Sequence, residues 1–214
     1  MEFFKKIKFK RKSLVADRRG FSLIELLVTV GILTMVNVMI FASYPEFSKK
    51  MSLRKTGNEV ALIVRQAQAY ALGIKRTEKN LGGEEFPGYG VHFNSSQSNN
   101  NKIVLFADIN ADGKLNDPDS ACDSNDECVN EYEISTGDYV SKVMLCGANE
   151  NCFSADGAAL DVSFPRAVSM VNMSSSIYCP GDCSSAKIVL KSPRGKEDNT
   201  KNITIWRSGQ ITVE

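Results

Sequence analysis

The chain has 214 residues, 43% of them hydrophobic and 24% charged, which suits one globular domain and argues against a disordered chain. The net charge of +1 hides an asymmetry, because residues 1–20 carry +6 (eight Lys or Arg against Glu2 and Asp17) and leave −5 for the rest. A mildly acidic remainder is a poor non-specific binder of nucleic acid, since neutralising phosphates takes clustered lysine and arginine.

The first predicted element is an apolar helix over residues 21–44 (FSLIELLVTVGILTMVNVMIFASY), whose only charge is Glu25. At 1.5 Å per residue it is ~36 Å long, enough to cross a hydrocarbon core of ~30 Å. The Lys and Arg excess in residues 1–20 predicts a cytoplasmic N-terminus and an extracytoplasmic chain beyond the helix. A secretory signal peptide cleaved at Ala42-Ser43 is the weaker alternative, because its apolar region would be shorter.

A second helical pattern follows Pro45 and is predicted to continue the helix over residues 45–80. Apolar residues recur there at intervals of three and four, which is typical of an amphipathic helix packed on a folded domain: Val60, Ile63, Val64, Ala67, Tyr70, Ala71 and Ile74. Gly82-Gly83 and Pro87-Gly88 interrupt the pattern.

Residues 81–214 are predicted to form a β-rich extracytoplasmic head. Runs rich in β-branched and aromatic residues, separated by Asn, Ser, Gly and Asp, predict eight strands: Tyr89–Phe93, Ile103–Ala107, Glu131–Ile134, Val140–Leu145, Leu160–Phe164, Ile188–Leu190, Ile203–Trp206 and Ile211–Val213. The last two form a hairpin that turns at Ser208-Gly209. The predicted fold class is α+β, a long N-terminal helix with a membrane half and an amphipathic half, packed on an antiparallel sheet or sandwich.

Six cysteines all lie in the second half of the chain, in three close pairs: Cys122/Cys128, Cys146/Cys152 and Cys179/Cys183. An even number of cysteines behind an export signal favours disulfides in an oxidising compartment. Six cysteines allow about 15 connectivities, and we predict the three local ones. Zinc is the alternative, although two of the three pairs have five residues between their cysteines, more than the two to four of a zinc half-site.

Residues 108–119 (DINADGKLNDPD) fit the twelve-residue calcium-loop template. Glycine falls at position 6, and Leu115 at position 8 is placed to anchor the loop. The predicted ligands are side-chain oxygens and one main-chain carbonyl: Asp108, Asn110, Asp112, the Lys114 carbonyl, Asn116 and Asp119. The alternative is a polar turn between strands, because Asp, Asn and Gly also favour turns.

Residues 18–31 (RRGFSLIELLVTVG) resemble the N-terminal signature of type IV prepilins, which include type IV pilins and pseudopilins. The resemblance implies that residues 1–20 are a leader, which a prepilin peptidase removes between Gly20 and Phe21, and that the new N-terminus is N-methylated. It also implies that Glu25 pairs with the N-terminal amine of a neighbouring subunit, since an unpaired intramembrane acid is costly. The alternative is a carboxylate that reaches the lipid headgroups from an ordinary anchor helix.

Tyr89-Gly90-Val91 and the final hairpin resemble, more loosely, the head of the GspH/FimT class of minor subunits. The resemblance implies a minor pilin or pseudopilin of a type IV pilus, a type II secretion pseudopilus or a competence pseudopilus. Its implied partners are the prepilin peptidase/methyltransferase, other pilin or pseudopilin subunits and the cytoplasmic membrane.

The alternative function is a binding module on the same anchor, either an adhesin or a DNA-capture subunit. Nucleic acid is a possible but not favoured partner, because acids interrupt the basic candidates: Lys187, Lys191, Arg194, Lys196 and Lys201, among Glu197 and Asp198. An enzyme is not predicted, since His92 alternates with strand residues and no nucleophile elbow or nucleotide-binding motif is present. No organic cofactor is expected.

Overall fold

The computed structural model describes residues 20–77, 85–116, 122, 127–147, 151–179, 182–193 and 199–214. The chain divides into two compact units, Met1–Tyr44 and Pro45–Glu214. Of the predicted leader, only Gly20 lies within the described residues. One helix, α1 (Leu23–Leu72), begins in the first unit and ends in the second.

In the first unit, residues 23–44 are helical and every residue from 20 to 44 is exposed. Ser22 lies directly before the helix, and its Oγ accepts a hydrogen bond from the Glu25 N–H at 3.4 Å. A serine in this place is a common N-cap, because it satisfies one of the first backbone N–H groups, which have no partner within the helix. The predicted apolar helix is therefore present.

In the second unit, α1 buries one face against the head, as the apolar periodicity predicted. Its buried positions again recur at intervals of three and four: Leu53, Thr56, Gly57, Val60, Ala61, Ile63, Val64, Ala67 and Ala71. Pro45 lies inside the helix, where it supplies no N–H for a helical hydrogen bond. Gly57 allows close packing, since a Cβ there would lie 3.3 Å from the Val213 side chain.

The helix ends at Leu72 rather than continuing to residue 80 as predicted, and Ile74 lies beyond it, 44% exposed. Ile74 has a left-handed backbone (φ 50°). The Lys75 N–H donates to the Tyr70 carbonyl at 3.0 Å and the Ile74 N–H donates to the Ala71 carbonyl at 3.4 Å. This pair of bonds is the Schellman motif, which satisfies the last carbonyls and ends a helix.

In the described residues, ten strands form two antiparallel five-stranded sheets. Sheet A has the order β3-β2-β1-β6-β7 and sheet B has the order β10-β9-β8-β4-β5. The strands are β1 (Gly88–Asn94), β2 (Lys102–Asp108), β3 (Cys128–Glu133), β4 (Tyr139–Gly147), β5 (Cys152–Ser154), β6 (Ala159–Phe164), β7 (Asn172–Ser175), β8 (Cys183–Lys191), β9 (Thr200–Trp206) and β10 (Ile211–Val213). All eight predicted strands are present, and β5 and β7 are additional.

One hydrophobic core joins the helix to both sheets, which confirms the predicted α+β class. Alternate residues of most strands enter it, in the period-two pattern of a strand with one buried face; examples are Tyr89, Val91 and Phe93 of β1. The final hairpin is also as predicted: the Trp206 N–H donates to the Gln210 carbonyl at 2.8 Å, and Gly209 supplies the positive φ of the turn.

The opposite face of sheet A, here called the outer face of sheet A, carries a second small cluster: Val104, Phe106, Leu115 and Cys128. Leu115 belongs to the predicted calcium loop and is 7% exposed, so it anchors the loop on this face rather than in the main core. Gly90 leaves room for the Phe106 ring, because a Cβ at Gly90 would lie 2.4 Å from that ring.

Candidate functional site

The predicted processing site precedes the first turn of α1. Gly20, Phe21 and Ser22 are not helical, and all three are exposed. Phe21 is 81% exposed, and a side chain added at Gly20 would meet no atom within 4 Å. The Gly20-Phe21 bond is therefore accessible in a non-helical stretch of chain, as a peptidase substrate must be.

Glu25 lies in the first turn of α1, three residues after the N-cap. The S-x-x-E spacing of Ser22 and Glu25 is that of a capping box, and an acid in the first turn also interacts favourably with the helix dipole. This local role was not predicted from the sequence, which pointed to the assembly contact or to the lipid headgroups. The helix cap needs a hydrogen-bonding side chain at position 25, whereas the assembly contact needs its negative charge. Substitutions of Glu25 can therefore distinguish the two roles.

The helix surface from 23 to 44 is apolar and uncovered within its own unit. By length and composition this part of α1 can cross a membrane. Its polar side chains return hydrogen bonds to their own backbone: Thr29 Oγ1 to the Leu26 carbonyl at 2.9 Å, and Asn37 Nδ2 to the Leu33 carbonyl at 2.7 Å. Such local bonds suit hydrocarbon, where water cannot satisfy polar groups.

The predicted calcium loop begins at Asp108, the last residue of β2. Asp108 Oδ2 accepts the Gly113 N–H at 3.0 Å, so the loop folds back on its first residue. Asn110 Oδ1 accepts the Asp112 N–H at 3.0 Å, and Asp112 Oδ1 accepts the Lys114 N–H at 2.8 Å. These bonds fold residues 108–114 into one tight turn, in which the side chains of template positions 1, 3 and 5 each accept a backbone N–H.

Glu127, which the sequence analysis missed, closes the loop from its far end. Its Oε1 accepts the Ile109 N–H at 3.0 Å and its Oε2 accepts the Asn116 N–H at 3.2 Å. Glu127 is 4% exposed. An acid distant in sequence that binds backbone N–H groups leaves no recognisable spacing, so only the fold identifies it.

Burial dominates the electrostatics of this loop. It raises the pKa of Asp108 to about 6; the Gly113 N–H opposes the rise, and the Glu127 carboxylate adds to it. Burial likewise raises the pKa of Glu127, against the N–H groups that it accepts. Two buried carboxyls, Asp108 in the loop and Glu127 against it, favour a cation or protons at this place.

The structure places five of the six predicted ligands, because Asp119 lies outside the described residues. Within the described part of the chain, no three His, Cys, Asp or Glu side chains are arranged to hold a metal. The predicted set does not depend on such a group, since its described members are two carboxylates, two asparagines and a carbonyl. Asn116 is exposed, and its N–H is engaged with Glu127.

The cysteines form the three predicted local disulfides: Cys122–Cys128, Cys146–Cys152 and Cys179–Cys183. Cys146 and Cys152 face each other across β4 and β5, with their Cα atoms 4.0 Å apart. The cysteines therefore act as covalent links, and zinc is not their role in this fold.

The remaining candidates do not form one site. His92 is buried on β1, and its Nδ1 lies 2.7 Å from Asp161 Oδ1. Lys187 and Lys191 lie on one face of β8. Lys201 of β9 lies on the opposite face of the sheet, because it pairs with Leu190, which points into the core, and its Cβ lies near Gly57 of α1. Arg194 and Lys196 lie outside the described residues, as do Glu197 and Asp198.

Residues 16–41 match the family model of the prokaryotic N-terminal methylation motif, which is the signature of type IV prepilins. The match spans the Gly20-Phe21 bond, Glu25 and most of the apolar helix, and it confirms the resemblance predicted for this segment. The motif implies processing by a prepilin peptidase, membrane anchoring and assembly with other pilin subunits. No curated protein and no solved structure matches the chain.

Proposed function

We propose that this protein is a minor pilin or pseudopilin, processed between Gly20 and Phe21 and then incorporated into a type IV pilus or a pseudopilus. One observation carries the proposal: the methylation motif covers a helix whose apolar side chains are exposed all around and whose first turn holds Glu25. A lone anchor needs the apolar surface but not the acid. A packed bundle of such helices uses both.

Removal of the leader supplies a positive charge that can pair with Glu25. Cleavage after Gly20 releases the amine of Phe21, a cation at the start of the apolar helix. A carboxylate and an amine that enter a low-dielectric bundle together offset much of the unfavourable desolvation that each would suffer alone. Glu25 of one subunit therefore pairs with the Phe21 amine of a neighbour, and this contact favours the assembled state.

The charge distribution sets the orientation in the membrane. The +6 leader stays on the cytoplasmic side, where prepilin peptidases act, and the head follows on the extracytoplasmic side. The three disulfides agree with this placement, because an oxidising compartment preserves them. The DNA-capture hypothesis gains no support, since Lys187 and Lys201 lie on opposite faces of sheet B.

Mass spectrometry of the native N-terminus tests the proposal. The mature chain is expected to begin with N-methyl-Phe21. Gly20→Val is expected to block processing, whereas Gly31→Val is a matched control, because an added side chain meets no atom within 4 Å at either glycine. An intact leader in the wild type, or cleavage at Ala42-Ser43, contradicts the proposal.

A further inference from the structure

Unpartnered polar atoms collect on the outer face of sheet A. Four buried side-chain atoms in the described part of the chain have no hydrogen-bond partner, and three belong to this face: His92 Nε2, Asp108 Oδ1 and Ser163 Oγ. The register confirms the shared face, because Asp108 pairs with Gly88, and Ser163 and Phe106 both pair with Gly90. A native fold seldom leaves such atoms without a partner.

Two of these atoms border the same residue of the loop. Gly113 donates its N–H to Asp108 Oδ2, and a Cβ on Gly113 would lie 3.2 Å from Ser163 Oγ. Asp108 is 6% exposed and Ser163 is 1% exposed. An unpartnered carboxylate oxygen and an unpartnered hydroxyl therefore lie next to Gly113, in the turn that the side chains of Asn110 and Asp112 stabilise.

The charge of this region is uncompensated. Asp108 and Glu127 are buried acids, and Asp112 lies beside them at the surface. No ion pair joins any of the three to a Lys, Arg or His among the residues that the structure describes. Buried carboxylates without a cation are unfavourable unless they are neutralised or bind a metal.

We propose that this loop binds a calcium ion through Asp108 Oδ1, the side-chain oxygens of Asn110 and Asp112, and the main-chain carbonyl of Lys114. All four ligands are hard oxygens on a short, tightly turned segment, which is the donor set that calcium prefers. Asn110 Oδ1 and Asp112 Oδ1 each accept one backbone N–H, and Asp112 Oδ2 accepts the Asn110 Nδ2 amide at 3.0 Å, so each of these oxygens keeps a further lone pair for the ion. The Ser163 hydroxyl completes the site by a hydrogen bond to a water on the ion.

The ion also explains how a polar loop covers a sheet face. Leu115 packs on Phe106 and Cys128, directly after the last ligand residue. Glu127 accepts the N–H groups of Ile109 and Asn116 and so joins two separate points of the loop. Calcium therefore seats the loop, so that Leu115 seals the outer face of sheet A.

Isothermal titration calorimetry tests this inference on the processed full-length protein, purified in detergent and stripped of metal with EGTA. Calcium chloride is expected to bind with a dissociation constant of about 10⁻⁴–10⁻³ M, the range of extracellular modules. Saturating calcium should raise the melting temperature by a few degrees by mass action. Hydrogen exchange of the amides of residues 109–116 should slow at the same time.

Two variants make the result specific. Asp112→Asn changes an exposed side chain, so the head should fold normally while calcium affinity falls about tenfold or more, since a charged ligand is lost. Asp156→Asn changes an acid in an exposed turn elsewhere and should leave the titration unchanged. The proposal is overturned if the wild type shows neither heat nor a melting shift with millimolar calcium, or if Asp112→Asn responds as the wild type does.

Discussion

The two ends of α1 contrast sharply although they belong to one helix. Leu33 in the first unit is 60% exposed, whereas Leu53 in the second is 3% exposed. From 20 to 44 no described residue is buried, but beyond Leu53 the buried positions follow the helical repeat. In the first unit local hydrogen bonds hold the helix without any buried residue, whereas in the second unit the helix also packs into the core.

This difference separates assembly from folding. The head satisfies its apolar surface internally, through one core, two sheets and three disulfides. The first unit satisfies its own backbone and leaves its apolar side chains to a membrane or to other helices. Substitutions in the first unit should therefore alter assembly without altering the stability of the head. Substitutions in the head should alter its stability without altering the assembly contacts of the first unit.

The largest expected effect is that of Glu25→Ala on incorporation of the protein into filaments. In the proposed pairing, loss of the carboxylate leaves the neighbour's Phe21 amine buried and unpaired, which can cost about 3–5 kcal/mol. Leader cleavage, membrane insertion and the melting temperature of the head should remain close to those of the wild type. Immunoblots of the sheared filament fraction should show the variant strongly depleted, and normal incorporation would falsify the pairing.

Glu25→Gln separates the two roles of Glu25. Glutamine keeps a capping-box side chain three residues after Ser22 but loses the charge. If Glu25 only caps the helix, Glu25→Gln should enter filaments normally. We expect it to fail nearly as badly as Glu25→Ala, and Glu25→Lys to be worse because it places two cations together.

In the head, Leu53→Ala should lower the free energy of unfolding by about 2–5 kcal/mol, because it leaves a cavity in the core. Leu62→Ala is the matched control on the same helix, since Leu62 is 61% exposed and its loss should change stability by less than about 0.5 kcal/mol. Chemical denaturation followed by circular dichroism measures both. Equal losses in the two variants would show that the helix does not pack as described.

Most of this fold is visible in the sequence because strong periodicity accompanies strong burial. The stripe from Val60 to Ala71 and the eight predicted strands all show it. The two missed strands, β5 and β7, are short edge strands of partly polar residues such as Asn172 and Ser174. Their pairing depends on neighbours already in place, which local composition does not encode.

The residues of the candidate sites likewise divide into those that local sequence predicts and those that only the fold reveals. The N-terminal signature and the loop ligands are contiguous motifs, so spacing alone predicts them. Glu127 and Ser163 come from elsewhere in the chain, and only the fold brings Glu127 to the Ile109 N–H and Ser163 to Gly113. The helix end was misjudged because Ile74 continues the apolar repeat while its backbone has left the helix.

The Cys146–Cys152 disulfide should stabilise the head by about 2 kcal/mol or less, because it closes a short loop. Replacing both cysteines by serine is expected to lower the melting temperature without affecting leader cleavage. Non-reducing peptide mapping of the wild type should recover all three local pairs. Free thiols throughout, or a variant that melts with the wild type, would argue that this link contributes nothing.

The smallest expected effect, and the only stabilising one, concerns Ile74 at the end of α1. A β-branched residue is disfavoured at φ 50° because its Cβ crowds the backbone, whereas glycine adopts this conformation freely. Ile74→Gly should therefore raise the free energy of unfolding by about 0.5–1 kcal/mol, since the greater flexibility of an unfolded glycine offsets part of the relieved strain. Ile74→Ala is the control, because it removes most of the half-exposed side chain but keeps the Cβ. If alanine stabilises as much as glycine, the gain comes from losing an exposed apolar group, and the helix end is not strained.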